Sequence, residues 1–462
     1  MVNARECALR ILYQVETQLA YSNIVIDDII QKNVFNTLDK SFAIQLVYGI
    51  IRRQNTLDYI ILKFIDNKDN FSRLNKWLLL ILRMGVYQII YLDKVPNYSA
   101  VDESVKLAKS YGPVGSSKFV NAVLRNVCEH AGDLIKFEGE PENIKLALHL
   151  SHPVWLIERL TAQFGKLNAT KICESNNINP HFTIRVNTLK ITREALMEAL
   201  RDFEPEPCRL VPDGITINNF AELTSTNYFK EGYFYIQDEA SMLVAHIVDP
   251  QPMEVVFDFC ASPGGKTTHL AQITKNQSLI LAYDRFSHKI QKIKDNCKRL
   301  DITCVTPKLQ DILKMTDTRQ AHRVLVDVPC SCLGIVRRHP ELKWRLEEKN
   351  FDSIIKIQYQ LLEIAAEHTT PGGVIVYSAC TYEPGETINL INRFLKNNPG
   401  YEFMPFPEHI INNFKDNGFN TETAEIGYQS FFPHVHGIDG FFVAKLRKLP
   451  ADDGDLLKRK KH

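Results

Sequence analysis

Apolar residues recur at helical spacing through roughly the first 135 residues of the chain. These stripes occupy residues 5–15, 42–51, 60–65, 77–92 and 101–108. Residues three or four apart share one face of an α-helix, so each stripe predicts an amphipathic helix. The phrase Ser99-x-x-Asp102 after Pro96 predicts a capped helix start. Together the stripes predict an all-α helical bundle for residues 1–140.

A polar segment between Gly132 and Glu142 predicts a linker, and the pattern changes beyond it. Segments of helix and strand character follow at 154–164, 182–186, 193–200 and 214–217. This mixture predicts a small α/β module for residues 145–232. From Tyr233 the alternation becomes regular and predicts a doubly wound parallel sheet for residues 233–448. A basic tail, residues 449–462, closes the chain.

The stretch from Val255 to Ile273 carries the strongest local signal. An apolar run interrupted by Asp258 predicts a strand that is buried on both faces. Pro263, Gly264 and Gly265 then end the strand, and the apolar spacing beyond them predicts a helix. Backbone N–H groups are unpaired at the start of a helix, so this turn favours an anionic or nucleotide-like ligand.

Two common nucleotide-binding motifs do not match this turn. A phosphate-binding loop requires a glycine five residues before its last glycine, where this chain has Cys260. A dinucleotide fingerprint requires spaced glycines, whereas Gly264 and Gly265 are adjacent. The turn therefore matches neither motif, and at this point either another kind of ligand-binding turn or a glycine turn without a ligand is open.

Three acidic residues stand at the ends of successive predicted strands: Asp284, Asp311 and Asp327. The carboxyl ends of strands in an open α/β sheet meet at the edge where ligands bind. Asp284 follows the glycines by about twenty residues, a position from which an acid accepts hydrogen bonds from ribose hydroxyls. The pattern predicts a nucleoside-containing ligand at this edge.

Composition limits the class of protein without identifying it. The chain has 462 residues, 45% of them hydrophobic, which predicts several globular domains and excludes disorder throughout. Its most apolar run, Trp77–Leu92, contains Arg83 and Gln88, so it predicts a packed helix and not a membrane span. No charged-then-apolar signal precedes it. We expect a cytoplasmic protein with no membrane partner.

The ten cysteines are scattered, which argues against a disulfide framework. Cys330 and Cys332 are close together, but one pair without a second pair or clustered histidines is a poor metal signal, so no metal is expected. The net charge of +1 does not by itself favour nucleic acid. Basic residues nevertheless cluster at 289–299, 337–345 and 458–461. Basic runs are usually solvated faces, so these clusters only support a phosphate-binding surface.

The segment Asp258–Thr267, D-F-C-A-S-P-G-G-K-T, resembles motif I of the RNA cytosine carbon-5 methyltransferases, the Sun family. Ser262 replaces the usual alanine. The resemblance implies a class I S-adenosylmethionine-dependent methyltransferase domain with a mostly parallel, seven-stranded Rossmann-like sheet. It places the cofactor against Asp284 at the ribose, Asp311 beside the adenine, and Asp327. The implied turn residues are Cys260, Ala261, Ser262, Pro263, Gly264, Gly265 and Lys266.

Two later segments resemble further motifs of the same family. Asp327–Gly334, D-V-P-C-S-C-L-G, resembles D-A-P-C-S-x-x-G, with Val328 and Cys332 as departures. The R-R-H-P-E-L-K-W that follows resembles the branch acting on small-subunit ribosomal RNA. A third motif, T-C-S with a later acidic pair, keeps Cys380 but is altered around it. The altered positions are Ala379, Thr381 and Gly385.

Cys330 and Cys380 follow neighbouring predicted strands, and their spacing leaves open which of them attacks carbon 6 of cytosine. Attack by a thiolate is needed because carbon 5 of cytosine is a weak nucleophile. The resemblance implies that Cys380 attacks and that Cys330 helps to release the product. It also implies that Asp327 binds the cytosine ring and that Lys266 stabilises nearby negative charge. The target base must be single-stranded or flipped out.

Phrases such as L-V-Y-G-I-I-R-R-Q-N and F-V-N-A-V-L-R-N resemble the RNA-binding NusB domain. The phrase R-V-N-T at 185–188 resembles an RNA-binding segment of the methyltransferase family. The implied partner is small-subunit (16S) ribosomal RNA or an early assembly intermediate, bound by a monomer. The predicted RNA contacts are Arg185, Asn187, Arg337, Arg338 and His339.

Two alternatives remain open at this point. One is the same chemistry on transfer RNA, against which the helical N-terminal region and R-R-H-P-E-L-K-W argue. The other is a non-catalytic RNA-binding factor with a degenerate second half, which the altered third motif favours. The presence of Lys266, Asp327, Cys330 and Cys380 argues against a degenerate site.

Overall fold

The computed structural model describes residues 3–31, 36–65, 68–220 and 222–450. The chain divides into two compact units. The first contains Met1–Ile178 and Val336–Leu346, and the second contains Asn179–Ile335 and Glu347–His462. The domain bounds expected from the sequence remain predictions. Most of the basic tail, residues 451–462, lies outside the described residues.

The first unit is helical, as the apolar stripes predict. Its helices are α1 (Ala4–Thr17), α2 (Ser22–Gln31), α3 (Thr37–Leu62), α4 (Lys68–Ser72), α5 (Lys76–Tyr91), α6 (Asn97–Tyr111), α7 (Ser116–Leu134), α8 (Glu142–Leu150) and α9 (Val154–Asn176). The stripes of α1, α3, α5 and α7 pack into one hydrophobic core. The predicted helical bundle is confirmed.

Asparagine side chains start several of these helices. Asn3 accepts a hydrogen bond from the Glu6 N–H at 2.8 Å, and Asn36 accepts one from the Asp39 N–H at 2.7 Å. Each bond satisfies an N–H that has no partner within its own helix. The predicted cap at Ser99 is wrong, because α6 already begins at Asn97, directly after Pro96, and has no side-chain cap bond.

The second unit contains a small antiparallel sheet of four strands in the order β2-β3-β1-β4. These strands are β1 (Phe182–Val186), β2 (Pro205–Pro207), β3 (Gly214–Ile217) and β4 (Phe234–Ile236). Helices α10 (Arg193–Ala199) and α11 (Asn227–Lys230) accompany them. Leu196 of α10 shares a buried cluster with Ile184, Ile215 and Phe234 of the sheet. The mixture of helix and strand that the sequence predicts is confirmed, but the helix expected at 154–164 is part of α9 in the first unit.

The larger sheet of the second unit has eight strands. They are β5 (Val255–Phe259), β6 (Leu279–Asp284), β7 (Val305–Leu309), β8 (Ala321–Asp327), β9 (Thr369–Ala379), β10 (Tyr401–Phe403), β11 (Tyr428–Phe431) and β12 (Phe441–Lys448). Seven follow one another in the order β10-β12-β9-β8-β5-β6-β7, and β11 pairs with β12 beside this path. Strands β5 to β9 pair in parallel, whereas β10, β11 and β12 pair antiparallel. The mostly parallel sheet is confirmed, with β11 as an additional strand.

Helices cover this sheet on both faces. They are α12 (Glu239–Val248), α13 (Gly265–Ile273), α14 (Ser287–Arg299), α16 (Phe351–Glu367), α17 (Ile388–Asn397), α18 (Glu408–Asp416), α19 (Glu422–Ile426) and α20 (Pro433–His436), while α15 (Leu342–Arg345) belongs to the first unit. Val256 and Phe257 are adjacent in β5 but lie in two different hydrophobic clusters. Burial on both faces leaves the carboxyl ends of the strands as the edge open to a ligand. No helix in the described residues is long and apolar enough to cross a membrane.

Candidate active site

The turn between β5 and α13 has the backbone that its sequence predicts. Gly264 has a φ of 97°, in the left-handed region that favours glycine, and its N–H donates to the Ala261 carbonyl at 2.8 Å. A Cβ atom on Gly265 would lie 3.0 Å from the Tyr235 ring. Thr267 donates its hydroxyl to Asp258 at 2.5 Å, which ties the helix start to the end of β5. The turn is thus fixed by its own backbone and by contacts with β4 and β5.

A cavity of about 220 Å³ lies against this turn. Its lining is Tyr235, Ile236, Gln237, Asp238, Ser241, Asp258, Ala261, Ser262, Pro263, Gly265, Lys266 and Asp327. Six of the residues predicted to bind the cofactor are among them, while Cys260, Gly264, Asp284 and Asp311 are not. The sequence did not predict that β4 lines the cavity, because a strand of three residues carries no ligand-binding motif.

Asp258 is the lining residue with the most unusual environment. Its side chain is buried, and burial raises the pKa of its carboxyl group to about 7. The hydrogen bond from Thr267 acts in the opposite direction and lowers the pKa, but burial has the larger effect. Within the described residues its Oδ1 atom has no hydrogen-bond partner. A buried acceptor without a partner is costly, so this oxygen favours a ligand that brings a donor.

Asp284 and Asp311 stand at the same edge of the sheet. Asp284 ends β6, is buried, and accepts a hydrogen bond from the Phe286 N–H at 3.2 Å. Asp311 begins a short 3₁₀ turn and accepts one from the Leu313 N–H at 3.1 Å. Each carboxylate retains further lone pairs for hydroxyl or amine donors.

Lys266 and Asp327 form a partly buried ion pair, with 2.8 Å between Nζ and Oδ2. The other oxygen of Asp327 accepts a hydrogen bond from the Ser378 hydroxyl at 2.7 Å. Burial works to lower the pKa of Lys266, but the Asp327 carboxylate outweighs it, and the pKa is raised. Lys266 therefore keeps its positive charge at neutral pH.

The loops after β8 and β9 bring three thiols together. The sulfur atoms of Cys330 and Cys380 are 3.1 Å apart, and Cys332 lies 3.6 Å from Cys380 and 3.9 Å from Cys330. Hydrogen bonding with the other two thiols, together with the charge of Lys266, holds the pKa of Cys380 well below its usual value. The pKa of Cys330 is raised, first by its contacts with the other two thiols. Of the three, Cys380 is the one most readily present as a thiolate.

Cys332 was not among the predicted site residues. Its φ of 60° turns the loop back, so its sulfur reaches the other two. Its position two residues after Cys330 is the signal that could have indicated it. Adjacent parallel strands place the loops after β8 and β9 side by side, and this explains why Cys380 joins the pair.

A second set of contacts supports the thiol loops. Glu386 accepts hydrogen bonds from the Ser331 N–H at 2.9 Å and from the Gln358 side chain at 2.8 Å. Ser331 and Thr381 also bond through their hydroxyls at 2.9 Å. The altered third motif thus still provides a hydroxyl and a carboxylate that connect the two loops.

Arg185 and Asn187 lie elsewhere than the expected RNA surface, because both are fully buried. Arg185 donates to the Gly265 carbonyl at 2.5 Å and to the Thr268 hydroxyl at 2.9 Å, and it also bonds Gln237. The Asn187 amide donates to the Gly232 and Leu300 carbonyls at 2.8 and 2.9 Å. Their polar groups are used inside the second unit, and Arg185 supports the helix that begins at the glycine turn.

The residues Arg337, Arg338 and His339 belong to the first unit. Arg337 is buried, and its carbonyl accepts a hydrogen bond from Arg52 at 3.1 Å. Arg338 and His339 are half-buried. The structure leaves Arg338 and His339 with partial access to solvent, whereas Arg337 is enclosed.

The rest of this segment packs into the helices of the first unit. The Trp344 indole donates to the Ile51 carbonyl at 2.7 Å, and the Lys343 ammonium donates to the Arg52 carbonyl at 3.0 Å. Glu341 accepts hydrogen bonds from the N–H and hydroxyl of Ser22, both at 2.9 Å. The R-R-H-P-E-L-K-W phrase is therefore largely a structural element of the helical unit.

A doubly wound sheet with a glycine turn, an ion-paired lysine and clustered thiols at its carboxyl edge defines a Rossmann-like methyltransferase. Residues 245–447 match the family model described as 16S rRNA methyltransferase RsmB/F. Residues 2–129 match the NusB family, and residues 152–224 match the ferredoxin-like domain of RsmF/B-like methyltransferases.

Relatives and solved structures agree with these matches. The chain is 33% identical to the probable ribosomal RNA small subunit methyltransferase B of Bacillus subtilis, covering 96% of this chain and 99% of the relative. It is similar to the crystal structure of PH0851, with 27% identity, a TM-score of 0.81, and coverage of 96% of this chain and 98% of that one. NSun6 from Pyrococcus horikoshii, solved with SFG, shares 25% identity at a TM-score of 0.56, over 65% of this chain and 99% of that one. The chain belongs to the RsmB/F family of 16S rRNA methyltransferases, and it is an RNA methyltransferase.

Proposed function

We propose that the protein methylates carbon 5 of a cytidine in 16S ribosomal RNA, with S-adenosylmethionine as the methyl donor and a covalent cysteine–cytosine adduct as the intermediate. The observation that carries this proposal is the pair of thiols, Cys330 and Cys380, 3.1 Å apart at the carboxyl edge of the sheet. Methyl transfer to an oxygen or an exocyclic nitrogen needs no thiol, whereas methylation of carbon 5 needs a nucleophile that adds to carbon 6.

The residues around the cavity fit S-adenosylmethionine. Its ammonium and ribose hydroxyls are the donors that the unpaired Oδ1 of buried Asp258 and the carboxylate of Asp284 require. The N–H groups at the start of α13 are available to its carboxylate. When bound, S-adenosylmethionine supplies an electrophilic methyl group on a positively charged sulfur.

Cys380 begins the chemistry as a thiolate. Its sulfur forms a bond to carbon 6 of the cytosine, and the electron pair of the 5,6 double bond moves into the ring. Asp327, held by Lys266 and Ser378, hydrogen-bonds the ring edge and favours the protonated, more electrophilic base. Carbon 5 gains enamine character in this adduct and can accept a methyl group.

Cys330 completes the cycle. After methylation, carbon 5 carries both its original hydrogen and the new methyl group. Transfer of that proton to a water molecule restores the 5,6 double bond and expels the Cys380 sulfur as a thiolate. Cys330 lies 3.1 Å from Cys380 and its raised pKa keeps it protonated, so it is placed to donate a hydrogen bond to the departing sulfur.

One basic surface and the family matches support an RNA substrate. Lys292, Lys294 and Lys298 are exposed on α14, the helix that follows β6. Such lysines neutralise phosphates without reading sequence. The family model names 16S rRNA, and the first unit matches the NusB family, so we assign ribosomal RNA or an early assembly intermediate as the partner.

Bisulfite sequencing of total RNA from cells with and without the protein tests this proposal. We expect one cytidine of 16S ribosomal RNA to lose its protection from bisulfite conversion when the protein is absent. Restoration by the wild type, but not by the Cys380→Ala variant, would link the mark to the thiol. If a methylated cytidine of transfer RNA is lost instead, the substrate is transfer RNA and not 16S ribosomal RNA. No change in any RNA would contradict the proposed activity.

A further inference from the structure

Cys330, Cys332 and Cys380 bring three sulfur atoms to one place, and hydrogen bonding is a weak reason for the arrangement. Thiols are poor donors and poor acceptors, so the hydrogen bonds that lower the pKa of Cys380 add little to the stability of the arrangement. All three are free and only partly buried as residues, so solutes can approach them. A cluster of accessible thiols is instead the donor set that soft metal ions select.

The dimensions of the cluster fit a metal ion. A Zn–S bond is about 2.3 Å long, so two sulfur ligands of a tetrahedral zinc lie about 3.8 Å apart. The separations of Cys332 from Cys380 and from Cys330, 3.6 and 3.9 Å, agree with this value. The separation of Cys330 from Cys380, 3.1 Å, is shorter and needs a small side-chain rotation to open. Two of the three sulfur–sulfur separations therefore already match those around a tetrahedral zinc ion.

Asp213, His246 and His269 form another group of side chains that can bind metals, but their arrangement is explained without an ion. His246 and His269 each place Nε2 on a different oxygen of Asp213, at 2.9 and 2.6 Å. These are strong hydrogen bonds between imidazole and carboxylate, and they account for the arrangement of that group. The proposed chemistry accounts for Cys330 and Cys380, but it does not account for Cys332.

We propose that Cys330, Cys332 and Cys380 bind one soft divalent cation, Zn²⁺ or Cd²⁺, as three thiolates, with water as the fourth ligand. Binding releases the protons that the thiols carried, and no oxidant or reductant takes part. Three thiolates and a divalent cation leave one negative charge, which the nearby ammonium of Lys266 offsets. Cys332 supplies the third ligand, without which the site would have two.

Metal binding at this place blocks catalysis, a consequence that rests on the proposed function. A Cys380 thiolate bound to a metal ion has no free electron pair for carbon 6. The enzyme is then inhibited by low concentrations of zinc and recovers when a chelator removes the ion. Cys332 makes this site sensitive to the metal.

Cadmium titration of the full-length protein tests the binding directly, in a phosphine reductant that keeps the thiols reduced. The ultraviolet absorption of Cd–thiolate bonds reports the number of sulfur ligands. We expect one equivalent to saturate the wild type with the absorption of three thiolates. Cys332→Ala and Cys332→Ser should each bind at least tenfold more weakly and show two. Cys304→Ala, which removes a free, partly buried cysteine outside the cluster, should bind like the wild type.

The inference is overturned if the wild type shows no stoichiometric cadmium absorption, or if both folded Cys332 variants bind as tightly as the wild type. Circular dichroism establishes that each variant is folded. The titration contains neither RNA nor methyl donor, so its failure leaves the proposed methyl transfer intact. Conversely, a protein that binds cadmium but methylates no RNA would contradict the proposed function alone.

Discussion

Lys266 Nζ lies 2.8 Å from Asp327 Oδ2, and this ion pair joins the turn after β5 to the end of β8. The second oxygen of Asp327 is bound by Ser378 of β9 at 2.7 Å. One carboxylate thus connects the ends of three neighbouring strands. A side chain held by two partners is pre-organised. Asp327 is therefore already fixed before a base binds, and no further conformational entropy is lost in orienting it.

The roles of Cys380 and Cys330 can be separated by trapping the adduct. If Cys380 attacks, Cys380→Ala should neither methylate RNA nor become linked to it. If Cys330 assists release, Cys330→Ala should methylate once and stay attached to its product, giving a slower band on a denaturing gel with substrate RNA and S-adenosylmethionine. The Cys330→Ala/Cys380→Ala double variant is the control and should give no band. A linked Cys380→Ala with an unlinked Cys330→Ala would reverse the assignment.

Replacement of Lys266 by methionine should move the pH dependence of methylation. Loss of the ammonium destabilises the Cys380 thiolate relative to the thiol, so the pKa of Cys380 rises toward its ordinary value. As pH decreases, the rate of the wild type should fall only at low pH, and that of the variant should fall at a higher pH. We expect kcat at neutral pH to drop by about a hundredfold or more. Lys314→Met, an exposed lysine, should leave the profile unchanged; an unshifted profile in the Lys266 variant would contradict the electrostatic role.

Asp284 should contribute directly to cofactor affinity. Its replacement by alanine removes hydrogen bonds worth about 1 to 3 kcal/mol, which corresponds to a loss of roughly five- to hundredfold in affinity. Isothermal titration calorimetry with S-adenosylmethionine measures this loss. Asp311→Ala provides a comparison at the end of the next strand, with a smaller expected effect. Unchanged affinity in a folded Asp284→Ala protein would remove Asp284 from the cofactor site.

Arg185 should act on the cofactor turn and not on RNA. Arg185→Met removes two hydrogen bonds to the start of α13 and one to Gln237, and we expect it to destabilise the protein by about 2 to 4 kcal/mol and to weaken cofactor binding. The salt dependence of RNA binding should be unchanged, since no phosphate contact is lost. Lys294→Met removes one exposed positive charge and is the matched control. It should reduce the salt dependence of RNA binding and leave stability and cofactor binding unchanged. A weaker salt dependence of RNA binding in the Arg185 variant would instead show that Arg185 contacts RNA.

Gly334 and Gly440 should tolerate no side chain where they meet. A Cβ atom on Gly334 would lie 1.8 Å from the Gly440 carbonyl oxygen, and the Gly440 N–H donates to the Gly334 carbonyl at 2.8 Å. Gly334→Ala must displace the loop that carries Cys330, so we expect a loss of about 2 kcal/mol or more in the free energy of unfolding together with loss of activity. Gly400→Ala, with open space around its Cβ position, should be close to neutral in thermal denaturation.

The sequence predicts elements and strand-end residues well because both depend on local pattern. Parallel strands bring Asp284, Asp327 and Cys380 to one edge whatever the details of packing. The burial of Arg185 could not be predicted, since its partner Thr268 is far away in sequence and a basic residue is typically exposed. The convergence of Cys332 with the other thiols likewise depends on the conformation of one loop residue.

The segment Val336–Leu346 has a consequence for how the chain is made. It completes the helical unit, yet residues 179–335 are translated before it. On the ribosome the first helices must therefore wait, with the positions that accept Trp344 and Lys343 unfilled, until residue 346 has emerged. The helical unit reaches its final form only after the loop with Cys330 has been synthesised, so premature termination before residue 346 leaves both units unfinished.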